Sequence, residues 1–472
     1  MNMRIERDSM GEMRVPGDAM YGASTARAVA NFPISHEPVP AEVIHAMGYL
    51  KAACAMVNRE LGKLPAEVAE RIIAASDEVA AGKHDAQFPV DVYQTGSGTS
   101  TNMNANEVIA YLANGRGNNN REAASGGRRV HPNDDVNMGQ SSNDTFPTAM
   151  HVACAVMVVR ELVPAMKRLH GALDEKAKLW DGIVKTGRTH TMDATPIRMG
   201  QVFSGYAAQA EYAVRRAENA GNLRKNLPIG GTAVGTGINT HPEFGAKVCD
   251  VLSRRLGVKF EEAKNHFEAQ AAKDAFVAAH GELKTIAVSL GKIAGDIRWM
   301  GSGPRCGIGE LVLLAIQPGS SIMPGKVNPV ICESVVQVMC RVIGNDATVT
   351  AAGMGGVGSI FELNVAMPVM ADAFVESVRL LANVTNVFVE KLLEGLVVDE
   401  KRCAELLERS LMTVTALVPI VGYDAAAKLA KRAMMEGKTI REVVMEEGAV
   451  DEKVLDATMD VRKMTEPGTR GG

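Results

Sequence analysis

FVAAHGELKTIAVSLGKIAGDIRWM (276–300) carries apolar residues at Ala279, Leu283, Ile286, Leu290, Ile293, Ile297 and Met300, in alternating steps of four and three. That is the spacing of one face of an α-helix. A helix over these residues reaches roughly 37 Å. The segment 367–393 reads the same way, with apolar residues spread well beyond one stripe, and helices are also expected over 146–172 and 202–222. A helix apolar on several faces must be covered on several sides. A bundle of long helices meets that demand, more easily when other subunits add theirs, so the chain is predicted to form a homo-oligomer.

On either side of this helical middle the pattern changes. Residues 1–141 mix short elements with polar loops, among them TGSGTSTNMN and the basic, Gly-rich SGGRRVHPNDD. After Gly395 the segments TIREVVMEEG and DEKVLDATMDV predict shorter, more charged helices, and EPGTRGG (466–472) reads as a frayed end. With 472 residues the chain is too long for one core. The expected division is a mostly helical N-terminal domain (1–141), a long-helix domain (142–396) and a small helical C-terminal domain (397–472).

Aromatic residues make up only 4% of the chain, which suits closely packed helices better than a β-sandwich. A net charge of −4 is too small to imply nucleic-acid or membrane binding. No apolar run approaches the ~20 residues of a membrane span. The opening MNMRIERDSMGEMRVP has acidic residues and no apolar core, so neither a signal nor a transit peptide is expected. Cys54, Cys154, Cys249, Cys306, Cys332, Cys340 and Cys403 are scattered and never form a CxxC pair. They read as reduced thiols of a cytosolic protein.

GSSIMPGKVNP (319–329) packs two serines, a lysine and an asparagine between glycines and prolines. It is not a Walker A loop, because five residues separate Gly319 from Gly325 and Val327 stands where a magnesium-binding Ser or Thr is needed. Its ordinary structural reading is a Pro324-Gly325 turn, with Asn328 capping a helix and Pro329 at its first position. Such a helix start offers free N–H groups beside Lys326, a place for a carboxylate. Glu333 lies beyond the capping-box position and is free to pair elsewhere.

GRTHTMDATP (187–196) places Thr189 and His190 in a polar turn, where a histidine can be catalytic or ordinary. VHPNDDVNMGQSSNDTFPTAM (130–150) reads as turns with a helix cap at Asn143 or Asp144. TGSGTSTNMNANEV (95–108) offers Ser97, Thr99, Thr101 and Asn102 in a turn and cap. LPIGGTAVGTGINT (227–240) lacks the GxGxxG pattern, so close backbone packing is expected there rather than a dinucleotide. Together these loops supply hydroxyls, amides, one lysine and one histidine, and no metal-ligand cluster. A site of that composition suits carboxylates and cofactor-free proton transfer.

GSSIMPGKVNP with GRTH and SSND, in that family's order, resembles the signature of the fumarase/aspartase superfamily. RIERDSMGEMRVP, SGPRCGIGE (302–310) and SLMTVTALVPIVGYDAAAKLAKRA (410–433) extend the resemblance over essentially the whole chain. His190 in GRTH and the HPNDD segment (131–135) are similar to class II fumarases, whereas aspartases typically carry glutamine at the first position. Ser24, Tyr93 and Val330 depart from the usual fumarase glutamine, tryptophan and threonine.

The resemblance implies a mainly α, three-domain fold whose central five-helix bundles form a twenty-helix core in a homotetramer. Each active site is then built from three subunits. It implies interconversion of fumarate and L-malate, both small dicarboxylates, with no cofactor, metal, nucleic acid or membrane. Ser320 is implied as the base, His190 as the acid or water activator and Glu333 as its carboxylate partner. Ser97, Gly98, Thr99, Ser141, Ser142, Asn143, Thr189, Ser321, Lys326, Val327 and Asn328 correspond to substrate contacts. His131, Pro132, Asn133 and Asp134 correspond to a second dicarboxylate site. An aspartate ammonia-lyase is the alternative enzyme, and a non-catalytic structural relative the alternative outside enzymes.

Overall fold

The computed structural model describes residues 3–115, 128–222 and 225–468. Parts of three segments singled out above, 1–2 of the opening stretch, 125–127 of the basic Gly-rich stretch and 469–472 of the expected frayed end, lie outside the described residues. The fold is mainly α, and its strands pair only in twos among the described residues. Five long helices dominate: Ser142–Leu179, Met199–Asn222, Asp274–Met300, Val330–Gly353 and Met367–Phe388, the last continued by a π-helical turn at Val389–Leu393.

The seven apolar heptad residues of Asp274–Met300 are all buried, from Ala279 at 0% to Met300 at 7% exposure. Burying each Leu or Ile contributes roughly 1.5–3 kcal/mol, which is why the three/four spacing specifies this helix. Ser142–Leu179 is apolar and long enough to cross a membrane by length and composition, against the expectation that no run approaches this. However, 67% of its most apolar window is buried inside the protein, as in a core helix.

The chain divides into two compact units. One comprises Met1–Pro164, Arg215–Ala287 and Val338–Ala382. Its N-terminal hairpin pairs Met3–Asp8 with Gly11–Pro16. Helices Ala41–Glu60 and Ala66–Ala80 approach so closely at Gly48 that a Cβ there would stand 2.5 Å from the Ala80 nitrogen. Glu107 accepts the N–H groups of Gly22, Ser24 and Thr25, holding a carboxylate at the start of helix Ala23–Asn31, where the helix dipole favours it. Deeper in this unit His280 bonds Asp346 and Ser377, tying three of the long helices together.

The other unit comprises Ala165–Val214, Val288–Gln337 and Asn383–Gly472. It holds the hairpin Val184–Thr189 with Met192–Arg198. Its short C-terminal helices, including Tyr423–Glu436, Ile440–Glu447 and Glu452–Thr458, close on a core of Leu417, Ala433, Val443, Val444 and Leu455. Short helices were expected there. All seven cysteines are free.

Candidate active site

The candidate residues fall into two groups, one in each unit. In the first unit the TGSGT turn opens helix Thr99–Ala113. Gly98 is its N-terminal boundary residue with φ 73°, and a Cβ there would lie 2.1 Å from Cγ of buried Phe146. Only glycine fits both demands. The turn sets the Ser97 and Thr99 hydroxyls 2.8 Å apart. Gly98 itself has no side chain to cap this helix, and Gln94 Oε1 accepts the Thr101 N–H at 2.9 Å, so the donors suited to an anion are those of Thr99 and Ser100.

Helix Ser142–Met157 begins with a capping box. Ser141 Oγ accepts the Asn143 N–H, and Asp144 accepts the Ser141 N–H. The cap is therefore Ser141 rather than Asn143 or Asp144. Ser141 keeps extended backbone while Asp144, already in the first turn, reaches back to it. The second Asp144 oxygen accepts N–H groups from Gly230 at 3.2 Å and Thr232 at 2.8 Å. Burial pushes the Asp144 pKa up to about 6, against the pull of these N–H groups. The Gly-rich 227–240 segment thus packs its backbone closely, as expected, and Ala233 O accepts the Asn143 amide at 2.8 Å. The buried Asn102 amide donates to Ser142 Oγ at 2.9 Å, joining the TGSGT turn to the SSN loop.

Lys51, Asn137 and Gln140, none of them a residue predicted from the sequence, lie behind these loops. Lys51 Nζ donates to Asn137 Oδ1 and Gln140 Oε1, both at 2.9 Å. Its only signal was a lone lysine inside the apolar run YLKAACAMV. In the same unit His131 caps the π-helical turn Pro132–Val136 by accepting the Asp134 N–H at 3.1 Å. His131, Asn133 and Asp134 are exposed, and His131 and Pro132 line a cavity of about 530 Å³ with Glu107, Asn114 and Arg129.

In the second unit GRTH lies on a β-hairpin rather than a simple turn. Register pairs Thr189 with Met192, so His190 and Thr191 alone form its tip, with φ of 54° and 63°. Two positive φ values are the mark of a type I′ turn, usually made by Asn and Gly. A β-branched threonine in that conformation is strained. The hairpin is anchored by Glu310, fully buried, which accepts Lys185 at 3.0 Å and Arg188 at 2.9 Å. Thr189, at the end of its strand, and His190, at the tip, are exposed.

The GSSIMPGKVNP loop is stitched at its base. Asn328 Nδ2 donates to Gly319 O at 2.6 Å, and Gly319 N–H donates to Lys326 O at 2.9 Å. The Pro324-Gly325 turn forms as expected, with Gly325 at φ 81° and Lys326 N–H on Met323 O. Ser320 Oγ accepts two backbone N–H groups, from Ile322 at 3.2 Å and Met323 at 3.1 Å. The helix starts at Val330, with the Glu333 N–H on Pro329 O. The boundary residue is therefore Pro329 rather than Asn328, whose side-chain nitrogen closes the loop, and Pro329 stands just outside the first helical position. Ser321, Lys326, Val327 and Glu333 are exposed. Within one chain, His190 and Glu333 form no hydrogen bond or ion pair with each other. Among the described residues no group of three His, Cys, Asp or Glu side chains is placed to hold a metal ion.

Residues 11–344 match the family model described as lyase, and residues 414–466 match that of the fumarase C C-terminus. A fumarate hydratase class II of Corynebacterium efficiens is 54% identical, covering 98% of this chain and 96% of its own. The enzyme of that name from Mycobacterium tuberculosis is 52% identical, with the same coverage. The crystal structure of a class II fumarase from Schistosoma mansoni superposes with a TM-score of 0.93 at 36% identity, covering 98% of this chain and 99% of that one. A fumarate lyase:delta crystallin from Brucella melitensis, bound to cobalt, gives 0.91 at 40% identity, covering 99% of this chain and 100% of that one.

Proposed function

Because the chain belongs to the lyase family, among the class II fumarate hydratases, we propose that it catalyses the reversible hydration of fumarate to L-malate. The observation that carries this is the end-to-end similarity to relatives named for that reaction. In the dehydrating direction Ser320 takes a proton from the methylene carbon of malate, and the C–H electron pair moves into the adjacent carboxylate as an aci-carboxylate. That pair then forms the double bond as the C–O bond breaks on the opposite face. His190 protonates the departing hydroxyl through a bound water, so water leaves.

A serine hydroxyl is a weak base unless its alkoxide is stabilised. The two N–H groups on Ser320 Oγ, with Lys326 on the same loop, supply such stabilisation. Lys326 and the second amide proton of Asn328 hold the charge that develops on the carboxylate. Ser97, Gly98, Thr99, Ser141, Ser142, Asn143, Thr189, Ser321 and Val327 line the substrate. Glu333 of another subunit orients the His190 ring. His131, Pro132, Asn133 and Asp134 form a second dicarboxylate site.

The working form is a cytoplasmic homotetramer of three-domain chains, divided at 141/142 and 396/397, whose long helices share one core. Support comes from apolar side chains left exposed on the long helices of a single chain, such as Val288 (50%), Trp299 (64%) and Ile343 (41%). Sedimentation of a stable monomer would remove the shared core and the three-subunit site. The activity is tested by following the ultraviolet absorbance of fumarate without ammonia. Consumption of fumarate to malate supports a hydratase, whereas turnover of aspartate alone, with ammonia release, replaces it with an aspartate ammonia-lyase.

A further inference from the structure

We propose that Lys51 is a positioning residue for dicarboxylate binding, a buried cation that sets the SSN loop from behind and whose missing countercharge is the substrate itself. This rests on the hydratase reading of the same site. Lys51 lies on helix Ala41–Glu60 and is 0% exposed. Its ammonium donates to the side-chain oxygens of Asn137 and Gln140. Both amides then stitch the loop that leads into Ser141: Asn137 Nδ2 donates to Gln140 O, and Gln140 Nε2 donates to the Val136 and Met138 carbonyls. Asn58, two turns further along the same helix, donates to Met138 O. The Lys51-held oxygen of Asn137 also accepts from Asn102, whose amide reaches Ser142 Oγ. Three hydrogen bonds therefore connect Lys51 to a hydroxyl of the candidate substrate loop.

The charge count points the same way. Both Lys51 partners are neutral, and among the described residues no carboxylate lies within ion-pair distance of it. Asp144 acts on it only at longer range and already receives the N–H groups of Ser141, Gly230 and Thr232. A cation buried without a paired anion is costly, and that cost appears as a Lys51 pKa pulled down by burial to about 7. Hydrogen bonds to two amides that need only be oriented do not require a charge, since a glutamine or a second asparagine could make them. A dianionic ligand docking on the far side of the loop supplies the opposite charge. It favours the ammonium form at the moment of binding.

The test is Lys51→Met and Lys51→Gln in the full-length protein. It reads KM and kcat for malate and fumarate, and the calorimetric affinity for succinate, a dicarboxylate that cannot react. We expect KM and the succinate Kd to rise together by about tenfold or more in both variants, with kcat falling less than about threefold, because a binding interaction common to ground and transition state is lost. A succinate affinity within about twofold of wild type in either folded variant overturns the proposal. Recovery in Lys51→Gln alone does so too, since it leaves only a structural amide-holding role. If wild type binds succinate but does not hydrate fumarate, the reaction assigned above fails while the succinate measurements still decide Lys51. If wild type binds no dicarboxylate, both fall.

Discussion

Asn328 donates its side-chain amide to the carbonyl oxygen of Gly319 at 2.6 Å, so the two ends of the loop that carries Ser320 are held by one hydrogen bond. Asn328→Ala removes that tie and the proposed second donor to the substrate carboxylate. We expect kcat/KM to fall about 100-fold or more, the size seen for loss of an oxyanion donor. Stability should change by less than about 1 kcal/mol, because the loop is largely exposed. Steady-state kinetics beside a denaturant melt separate the two effects.

The His190–Thr191 tip stores backbone strain next to the proposed acid. Left-handed φ costs a residue with a Cβ roughly 1–2 kcal/mol. Thr191→Gly relieves this but frees the unfolded chain, so the net gain in stability is about 0.5–1 kcal/mol. The same change loosens the turn and removes the Thr191 Oγ1 bond to His190 O. It should lower kcat with little change in KM, and an unaltered kcat would show that the strained geometry is not used.

Gly98→Ala should damage the first unit severely. The methyl group would meet the ring of Phe146 at 2.1 Å, in a conformation of φ 73°. Overpacking a buried ring and left-handed strain together cost about 3 kcal/mol or more. Chemical denaturation measures this, and a loss below about 1 kcal/mol would mean the turn can shift freely.

His280 predicts one sign of pH dependence. Burial lowers its pKa from the ordinary 6.5, outweighing the pull of Asp346. Lys284, also facing Asp346, pushes in the same direction as burial. The folded state therefore takes up fewer protons than the unfolded chain as pH falls below about 6.5. The stability linked to neutral His280 is present above that pH and is lost as pH drops through the lower folded value. Thermal melts of wild type should fall more steeply between about pH 7.5 and about pH 5.5 than those of His280→Gln. Parallel curves would contradict the assignment.

Much of this was legible in the sequence where local spacing decides the outcome. The heptad from Ala279 to Met300 became a helix with every one of those residues buried. The Pro324-Gly325 turn followed from residue types alone. The GRTH hairpin did not, because VKTGRT alternates no apolar face and its anchor, Glu310, comes from far along the chain. Capping at Ser141 and the use of Asn328 to close a loop were missed for a related reason. Several polar residues in each stretch could make the bond, and tertiary partners such as Gly230, Thr232 and Gly319 select among them. Lys51 was invisible as a site because its partners sit in a loop that only the fold brings beneath it.

Ser320 is the residue proposed to remove the carbon-bound proton. The direct measurement is Ser320→Ala, with malate turnover and succinate affinity determined on the same preparation. Turnover should fall about 1000-fold or more while the succinate Kd stays within about threefold of wild type. A kcat within about tenfold of wild type, with binding intact, would contradict it.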